Sequence, residues 1–230
     1  MSYSGLGVYQ QQPPPRRPNR APLWIALAVV GVLVVGGATA FALLGDEDGR
    51  ATPTSSTSSS APEPGWAVVE DDQAGVRYEL PPSWERGGKG SVGRLRVTES
   101  HVSRPFECQG RNMIQAQAVS GSVAGEPEEV AAEVVTGLAG NGYTVNGTPP
   151  EVGEPRVETS SDDRVVLSVE VTPKAANACY APKATITAVA LRDGSRTAVF
   201  AVNVAQGGPH VAQGPSEDDV RRILGSVRLP

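Results

Sequence analysis

The longest apolar run in the chain extends from Leu23 to Leu44. Over these 22 positions, Thr39 is the only residue with a polar side chain apart from Trp24 near the start. At about 1.5 Å per residue, a helix of this length reaches roughly 33 Å, which is enough to cross the hydrocarbon core of a bilayer. The pattern therefore predicts one transmembrane helix within residues 21–45.

Charged residues on the two sides of this run differ in sign. Three arginines precede it and three acidic residues follow it, namely Arg16, Arg17 and Arg20, then Asp46, Glu47 and Asp48. Basic residues stay on the cytoplasmic side, so we expect a cell-membrane protein with a cytoplasmic N-terminus and an extracytoplasmic C-terminal domain. The alternative is a signal peptide cleaved after Ala40. Residues 41–44 prolong the apolar run beyond that point, which favours an uncleaved signal-anchor.

The segments that flank the predicted helix are poor in apolar residues. Residues 1–20 are rich in Pro and Gln, whereas residues 46–65 are rich in Ser, Thr, Pro and acidic residues. Such segments do not bury a core, so we predict a disordered cytoplasmic tail and a solvated linker. The remaining residues, 66–230, form the predicted extracytoplasmic domain.

Alternating apolar and polar positions predict strands throughout this domain. The clearest alternation runs from Arg164 to Thr172, where every second residue is apolar. The sequence Asp193-Gly194, between two apolar runs, predicts a hairpin. The predicted strands cover residues 66–70, 76–80, about 95–98, about 112–120, 164–172, 184–191 and 197–205.

Two segments show helical periodicity instead. Pro127 precedes Val130, Val134 and Leu138, which repeat every four residues, and we expect this helix to stop at residues 140–142, Gly-Asn-Gly. The second helix begins after Ser216, a favourable N-cap residue. Its apolar positions are Val220, Ile223, Leu224 and Val227. The order of elements predicts the α+β class, with a mostly antiparallel sheet covered by helices.

The domain also has a family resemblance. The segment WAVVEDDQAGVRYELPPSW, a strand pair ending in Pro-x-Trp, and the closing segment DDVRRILGSV resemble membrane-anchored actinobacterial envelope proteins. Those proteins are similar to LpqN-type lipoproteins and, more distantly, to PsbP-like domains. Over residues 66–230 the resemblance implies a PsbP-like sandwich, a non-enzymatic role and no catalytic residues. Unlike the lipoproteins, this chain has no lipobox cysteine.

The charge of the domain excludes one class of partner. Residues 66–230 contain 16 basic and 21 acidic residues, a formal charge of −5 without a block of Lys or Arg. This acidic, scattered distribution argues against nucleic acid binding. The expected partners are the bilayer, through residues 21–45, and an unidentified envelope protein or ligand.

The chain has two cysteines, Cys108 and Cys179, both placed in predicted loops. An even number of cysteines outside the cytoplasm favours a disulfide between them. Two free thiols, or a metal or catalytic role, are the alternatives. A zinc site usually needs four ligands, and His101 and His210 are the only histidines that could complete it. We predict no metal and no cofactor.

His101 and His210 are also the only candidates for a histidine general base. The sequence contains neither a GxSxG elbow nor an SxxK motif, and Lys89 in ERGGKGS is not followed by Ser or Thr as in a phosphate-binding loop. The acidic clusters at 70–72, 162–163 and 217–219 lack the alternating spacing of a calcium loop. We therefore predict no catalytic residue and no enzymatic activity.

Three aromatic residues, Trp66, Tyr78 and Trp84, belong either to the core or to the floor of a ligand cleft. The sequence thus favours a single-pass envelope protein with a non-enzymatic binding or interaction domain. Two alternatives stay open. One is an envelope-acting enzyme without a recognisable motif, and the other is an assembly or signalling subunit of a membrane complex.

Overall fold

A nine-stranded antiparallel sheet forms the centre of the part of the chain that the computed structural model describes, residues 65–174 and 178–230. These residues belong to one compact unit. The predicted cytoplasmic tail and transmembrane helix, and the predicted linker apart from Gly65, lie outside the described residues. Within those described ranges, neither helix has the length and apolar character that a membrane span requires.

The strands and helices alternate much as the sequence predicts. The strands are β1 Ala67–Asp71, β2 Val76–Leu80, β3 Glu85–Arg86, β4 Ser91–Val92, β5 Leu95–Val102, β6 Phe106–Cys108, β7 Arg111–Met113, β8 Ala116–Ala124, β9 Glu151–Val152, β10 Arg156–Ser160, β11 Arg164–Thr172, β12 Lys183–Asp193 and β13 Arg196–Gln206. The helices are α1 Pro127–Tyr143 and α2 Glu217–Ser226, with a single 3₁₀ turn at Val211–Gln213.

The central sheet has the strand order β10-β11-β12-β13-β8-β5-β3, with β9 paired to β11 and β4 paired to β5. Strands β12 and β13 form its longest hairpin, in which Asp193 faces Arg196 across a two-residue turn. Gly194 has a positive φ of 59°, a conformation that glycine adopts without strain. The predicted Asp-Gly hairpin is therefore confirmed. Two smaller hairpins, β1–β2 and β6–β7, lie outside this sheet.

Helix α1 covers one face of the sheet. Its buried residues Val130, Val134 and Leu138 pack in one apolar cluster with the inward side chains of β11, β12 and β13. The alternating apolar positions of β11 belong to the same cluster, as the sequence pattern predicts. We call this the covered face.

Hairpin β1–β2 and helix α2 pack on the opposite face. Tyr78 of β2 is fully buried against Phe200 of β13, with 4.5 Å between the ring centroids. Ile223 of α2 is also fully buried in this cluster. Ser216 caps α2 as predicted, because its hydroxyl accepts from the Asp219 amide and the Asp219 carboxylate accepts from the Ser216 amide.

Two predicted boundaries are wrong. Helix α1 does not stop at residues 140–142 but continues to Tyr143, which is 2% exposed and whose hydroxyl donates to Asn203 Oδ1. Burial of this aromatic side chain outweighs the low helix propensity of the glycines. The predicted strand at 112–120 is divided into β7 and β8. At the break, the Gln115 amide donates to Ser103 Oγ and its carbonyl accepts from Ala205.

Candidate functional site

The hairpin β1–β2 and helix α2 leave part of their sheet face open, and this part forms a groove of about 460 Å³. We call it the α2 groove. Strands β12 and β13 form its floor, residues 206–215 form one wall, and the start of α2 forms the other. The side chains on these three sides include Thr185, Thr187, Val204, Val211, Glu217 and Val220.

The floor of the α2 groove follows from the period of two along β12. Thr185 and Thr187 point toward the groove, whereas Ile186 between them points to the covered face and is fully buried. Threonine suits this position because its branched side chain fits a strand and its hydroxyl can bond a ligand. Val204 of β13 adds an apolar, half-buried surface beside them. The floor thus offers both hydroxyl groups and apolar carbon.

The wall at residues 206–215 depends on glycines at three positions. Gly207 and Gly208 have φ angles of 73° and 77°, so the chain turns away from β13 where other residues would be strained. A Cβ atom on Gly214 would lie 2.9 Å from the Cβ of Gln115. The wall therefore lies directly against the beginning of β8, and its path leaves no space for a side chain at residue 214.

The disulfide bond between Cys108 and Cys179 lies behind this wall. The two sulfur atoms are at bonding distance, 2.07 Å, as the sequence predicts. Cys108 is not in a loop as expected but is the last residue of the short strand β6. Cys179 and Met113 are buried in a small cluster to which Phe106 and Tyr180 contribute.

Both segments joined by the disulfide contact the wall of the α2 groove. Phe106, two residues before Cys108, stacks on His210 with 4.4 Å between ring centroids. On the Cys179 side, a Cβ atom on Gly207 would lie 3.2 Å from the Cγ of Pro182. The disulfide therefore holds together the two surfaces on which residues 207–210 rest.

Glu217 is the only ionisable residue in the lining of the α2 groove, and it forms no ion pair within the described part of the chain. The two acidic side chains next to it already have partners. Asp218 pairs with Arg221 at 2.6 Å, and Asp219 closes the capping box with Ser216. The groove is therefore apolar and hydroxyl-rich, with one carboxylate at the start of α2.

His101, the first candidate base, lies in β5 and does not line the α2 groove. It is 8% exposed, and its ring meets that of Tyr78 edge to face at 6.4 Å. Its Nδ1 atom has no hydrogen-bond partner among the described residues. Burial lowers the pKa of His101, with a smaller opposing effect from Glu99 and a further lowering by Arg86. The environment thus favours the neutral imidazole.

His210, the second candidate base, lies in the middle of the wall segment 206–215, and its ring stacks on that of Phe106. The structure does not bring the two histidines together at the groove, because neither is in its lining. In residues 65–174 and 178–230, no group of three or more His, Cys, Asp or Glu side chains is arranged to hold a metal ion.

Asp71 forms a buried polar network that the sequence did not indicate. Its carboxylate accepts hydrogen bonds from the hydroxyls of Ser120, at 2.6 Å, and Thr98, and from the amide of Ala74 at 3.1 Å. Tyr78 reaches the same Ser120 hydroxyl at 3.3 Å, and burial raises the pKa of Tyr78. Because these donors satisfy a 4% exposed carboxylate, the network anchors hairpin β1–β2 to the sheet.

The aromatic residues Trp66, Tyr78 and Trp84 belong to the core and do not form a cleft floor. Tyr78 is fully buried, and the two tryptophans pack, half buried, at the edge of the same cluster. The guanidinium of Arg222 lies 4.1 Å from the Trp66 ring centroid and pairs with Glu79 at 3.1 Å. These contacts attach α2 to the hairpin and leave the tryptophans outside the α2 groove.

A second cavity lies beside Asn203, near the C-terminal end of α1. Its volume is about 40 Å³, and Val92, Val119 and Leu138 contribute apolar walls. A space of this size accommodates at most a few water molecules and is too small for an organic ligand. The α2 groove is therefore the stronger candidate for a binding site.

Comparisons with solved structures show low sequence identity. The chain is similar to the Ran-binding protein Mog1p of Saccharomyces cerevisiae, at 13% identity, covering 71% of this chain and 95% of Mog1p, with a TM-score of 0.41. It is also similar to cyanobacterial PsbP (CyanoP) of a Synechocystis species, at 10% identity, covering 76% of this chain and 99% of CyanoP, with a TM-score of 0.45. A PsbP protein is thus among the similar structures.

A search of curated protein sequences finds no match to this chain. A family profile described as a domain of unknown function, DUF8017, matches residues 59–230. The match spans the linker end and the entire predicted extracytoplasmic domain, and the chain therefore belongs to the DUF8017 family.

Proposed function

We propose that this protein is a single-pass, membrane-anchored component of the cell envelope whose extracytoplasmic domain binds a ligand in the α2 groove without catalysing a reaction. The resemblance to anchored actinobacterial proteins of the LpqN type is part of this proposal. The apolar run at residues 23–44 and the change of charge across it support the anchor. The Cys108–Cys179 disulfide supports an oxidising compartment.

The observation that carries the binding role is the chemistry of the α2 groove. Its volume of about 460 Å³ falls in the range of small-molecule sites, and its walls combine apolar surface with a few polar groups. General acid–base and nucleophilic catalysis require a base within hydrogen-bond reach of a nucleophile or of the proton it abstracts. Among the described residues that line the groove there is one carboxylate and neither histidine nor cysteine.

A groove-filling variant tests whether the groove binds. The full-length chain, carrying an affinity tag, is purified in mild detergent from cells, and co-purifying material is identified by mass spectrometry. Val204→Trp places a large ring on the groove floor and should remove the bound material. Val157→Trp is the matched control, because Val157 is 45% exposed on the edge strand β10, away from the groove. Equal recovery from both variants would refute binding in the groove.

A protease experiment tests the proposed topology. Protease added to intact cells or spheroplasts should remove the domain and leave a membrane-bound fragment that contains residues 23–44. A mature chain beginning at Phe41 would instead establish a cleaved signal peptide.

A double substitution tests the enzymatic alternative. His101→Ala with His210→Ala should leave the biological function intact, whereas losing a histidine general base typically costs about 10²–10⁴-fold in rate. The thermal midpoint of the variant must first match that of the wild type, because His101 is buried. A well-folded variant that behaves like a deletion strain would favour the enzyme.

A further inference from the structure

We infer that the ligand of the α2 groove is a small organic cation with an apolar body and one ammonium group. This inference rests on the proposed binding function and adds the chemical class of the ligand. The inference rests on the presence of several valine side chains and one unpaired carboxylate in the lining of the same groove.

The apolar part of the ligand follows from the valines. Val202, Val204, Val211 and Val220 line the groove from its floor and both walls. Val211 is 51% exposed, an unusual position for a large apolar side chain. Val202 is 1% exposed, so an apolar body removes from water mainly the hydrocarbon surface of Val204, Val211 and Val220, which favours binding.

The positive charge of the inferred ligand follows from the carboxylate of Glu217. This carboxylate lines the groove at the first residue of α2 and forms no ion pair within residues 65–174 and 178–230. The start of α2 is unfavourable for an anion, because its first turn carries the carboxylates of Glu217, Asp218 and Asp219. An anionic ligand would therefore meet a like charge, whereas an ammonium group would form an ion pair.

The other charges near the groove do not reverse this preference. Asp218 pairs with Arg221, and Glu170, opposite Thr185 in the neighbouring strand, lies 3.9 Å from Arg156. Lys183 is exposed at the start of β12, opposite Gln206, and is not in the lining of the groove. Because Glu217 is in the lining and Lys183 is not, Glu217 is the charged group that a ligand in the groove meets.

The hydroxyls of Thr185 and Thr187 add hydrogen-bonding capacity on the floor. Each hydroxyl has acceptor lone pairs that suit the three donors of an ammonium group. The groove therefore matches a primary amine better than a carboxylate of the same size.

Three probes of one size and different charge test the inference. Benzylamine, which is an ammonium ion at neutral pH, benzyl alcohol and benzoate are titrated into the full-length chain in lipid nanodiscs. The valine methyl groups carry ¹³C, and empty nanodiscs correct for partition into lipid. We expect benzylamine to shift the methyl signals of Val204 and Val220 and to bind about two- to fivefold more tightly than benzyl alcohol, the ratio for a partly exposed ion pair. Benzoate should bind most weakly.

Two variants connect the preference to Glu217. Glu217→Gln should make benzylamine and benzyl alcohol bind equally, and Glu217→Lys should favour benzoate. Asp218→Asn, the matched control one residue further along α2, should keep the wild-type order. If no probe shifts the groove valines, the proposed binding site is wrong. If all three bind the groove alike, or benzoate binds best to the wild type, the site stands and the inferred charge of its ligand is wrong.

Discussion

The two faces of the central sheet are closed to different extents. On the covered face, the seventeen-residue helix α1 lies across β11, β12 and β13 and buries a continuous apolar cluster. On the opposite face, the β1–β2 hairpin and the ten-residue helix α2 close one part and leave the α2 groove open. The same strands therefore form a packed core on one side and the floor of an open groove on the other.

Strand β12 shows this difference residue by residue. Ile186 and Ala188 point to the covered face and are fully buried, whereas Thr185 and Thr187 face the groove. Side chains that fill the core can change only at a cost in stability, because close packing leaves no room to adjust. Of the groove residues, Val204 is half buried and Val211 and Glu217 are exposed, so this constraint is weaker for them.

Loss of the disulfide should have the largest effect and should act mainly on the groove side. Cys108 and Cys179 are 71 residues apart, so reduction should lower the free energy of unfolding by about 4 kcal/mol in the chain-entropy model. Guanidinium unfolding with and without reductant measures this change. After reduction, the rate of native-state hydrogen exchange should increase more in residues 206–215 than in β11–β13. Uniform acceleration over both regions would contradict the assigned role of the bond.

Shortening a side chain on the covered face should have the next largest effect. Ile186→Ala should lower the free energy of unfolding by about 3 kcal/mol, because it leaves a cavity in a fully buried cluster. Thr185→Ala, the adjacent residue on the groove side, should change it by less than about 0.5 kcal/mol. Denaturant unfolding of the two variants compares the faces directly. Similar losses in both would show that the groove floor is packed as tightly as the core.

The Asp71 network should contribute a smaller amount on the groove side. Asp71→Asn replaces one acceptor oxygen with an amide donor that faces the hydroxyls of Thr98 and Ser120, so we expect a loss of about 1–3 kcal/mol. Asp72→Asn is the matched control, because Asp72 is exposed. Equal stability of the two variants, measured by denaturant unfolding, would remove the network as the anchor of hairpin β1–β2.

His101 should produce the smallest effect, a loss of stability in mild acid. Burial lowers its pKa in the folded state below the ordinary value of 6.5, so the unfolded chain binds the proton more tightly. Stability from this group should be complete above pH 6.5 and should fall as the pH drops below it. Thermal unfolding of the wild type and of His101→Gln between pH 7.5 and 5 measures the difference. A wild type that loses no more stability than the variant would rule out this contribution.

Elements defined by local pattern were predicted well from the sequence. Strands β2 and β11 occupy the predicted residues, and the Asp-Gly hairpin and the Ser216 cap are confirmed. The disulfide was predicted from the number of cysteines and their expected compartment. Each of these features depends either on a few neighbouring residues or on composition, and the sequence shows both directly.

The groove had one weak signal in the sequence. Thr185 and Thr187 alternate with Ile186 and Ala188, which indicates that one side of β12 is less apolar than the other. The pattern did not show where the layer formed by hairpin β1–β2 and helix α2 ends, or that residues 206–215 return beside α2. The strands β3, β4, β6 and β9 have only two or three residues, too few to show a period, and β10 has a single apolar residue, Val157.

The sequence by itself determined the α+β class, most long strands, both helices and the cysteine pairing, because hydrophobic period and turn residues act locally. Only the tertiary structure decided that α1 continues to Tyr143, that Asp71 meets Thr98 and Ser120, and that Glu217 and four valines line one groove. These contacts join residues up to 49 positions apart in the Asp71 network and 60 positions apart at Tyr143. Their energies depend on distance in space, which the sheet register and the extent of each covering layer determine.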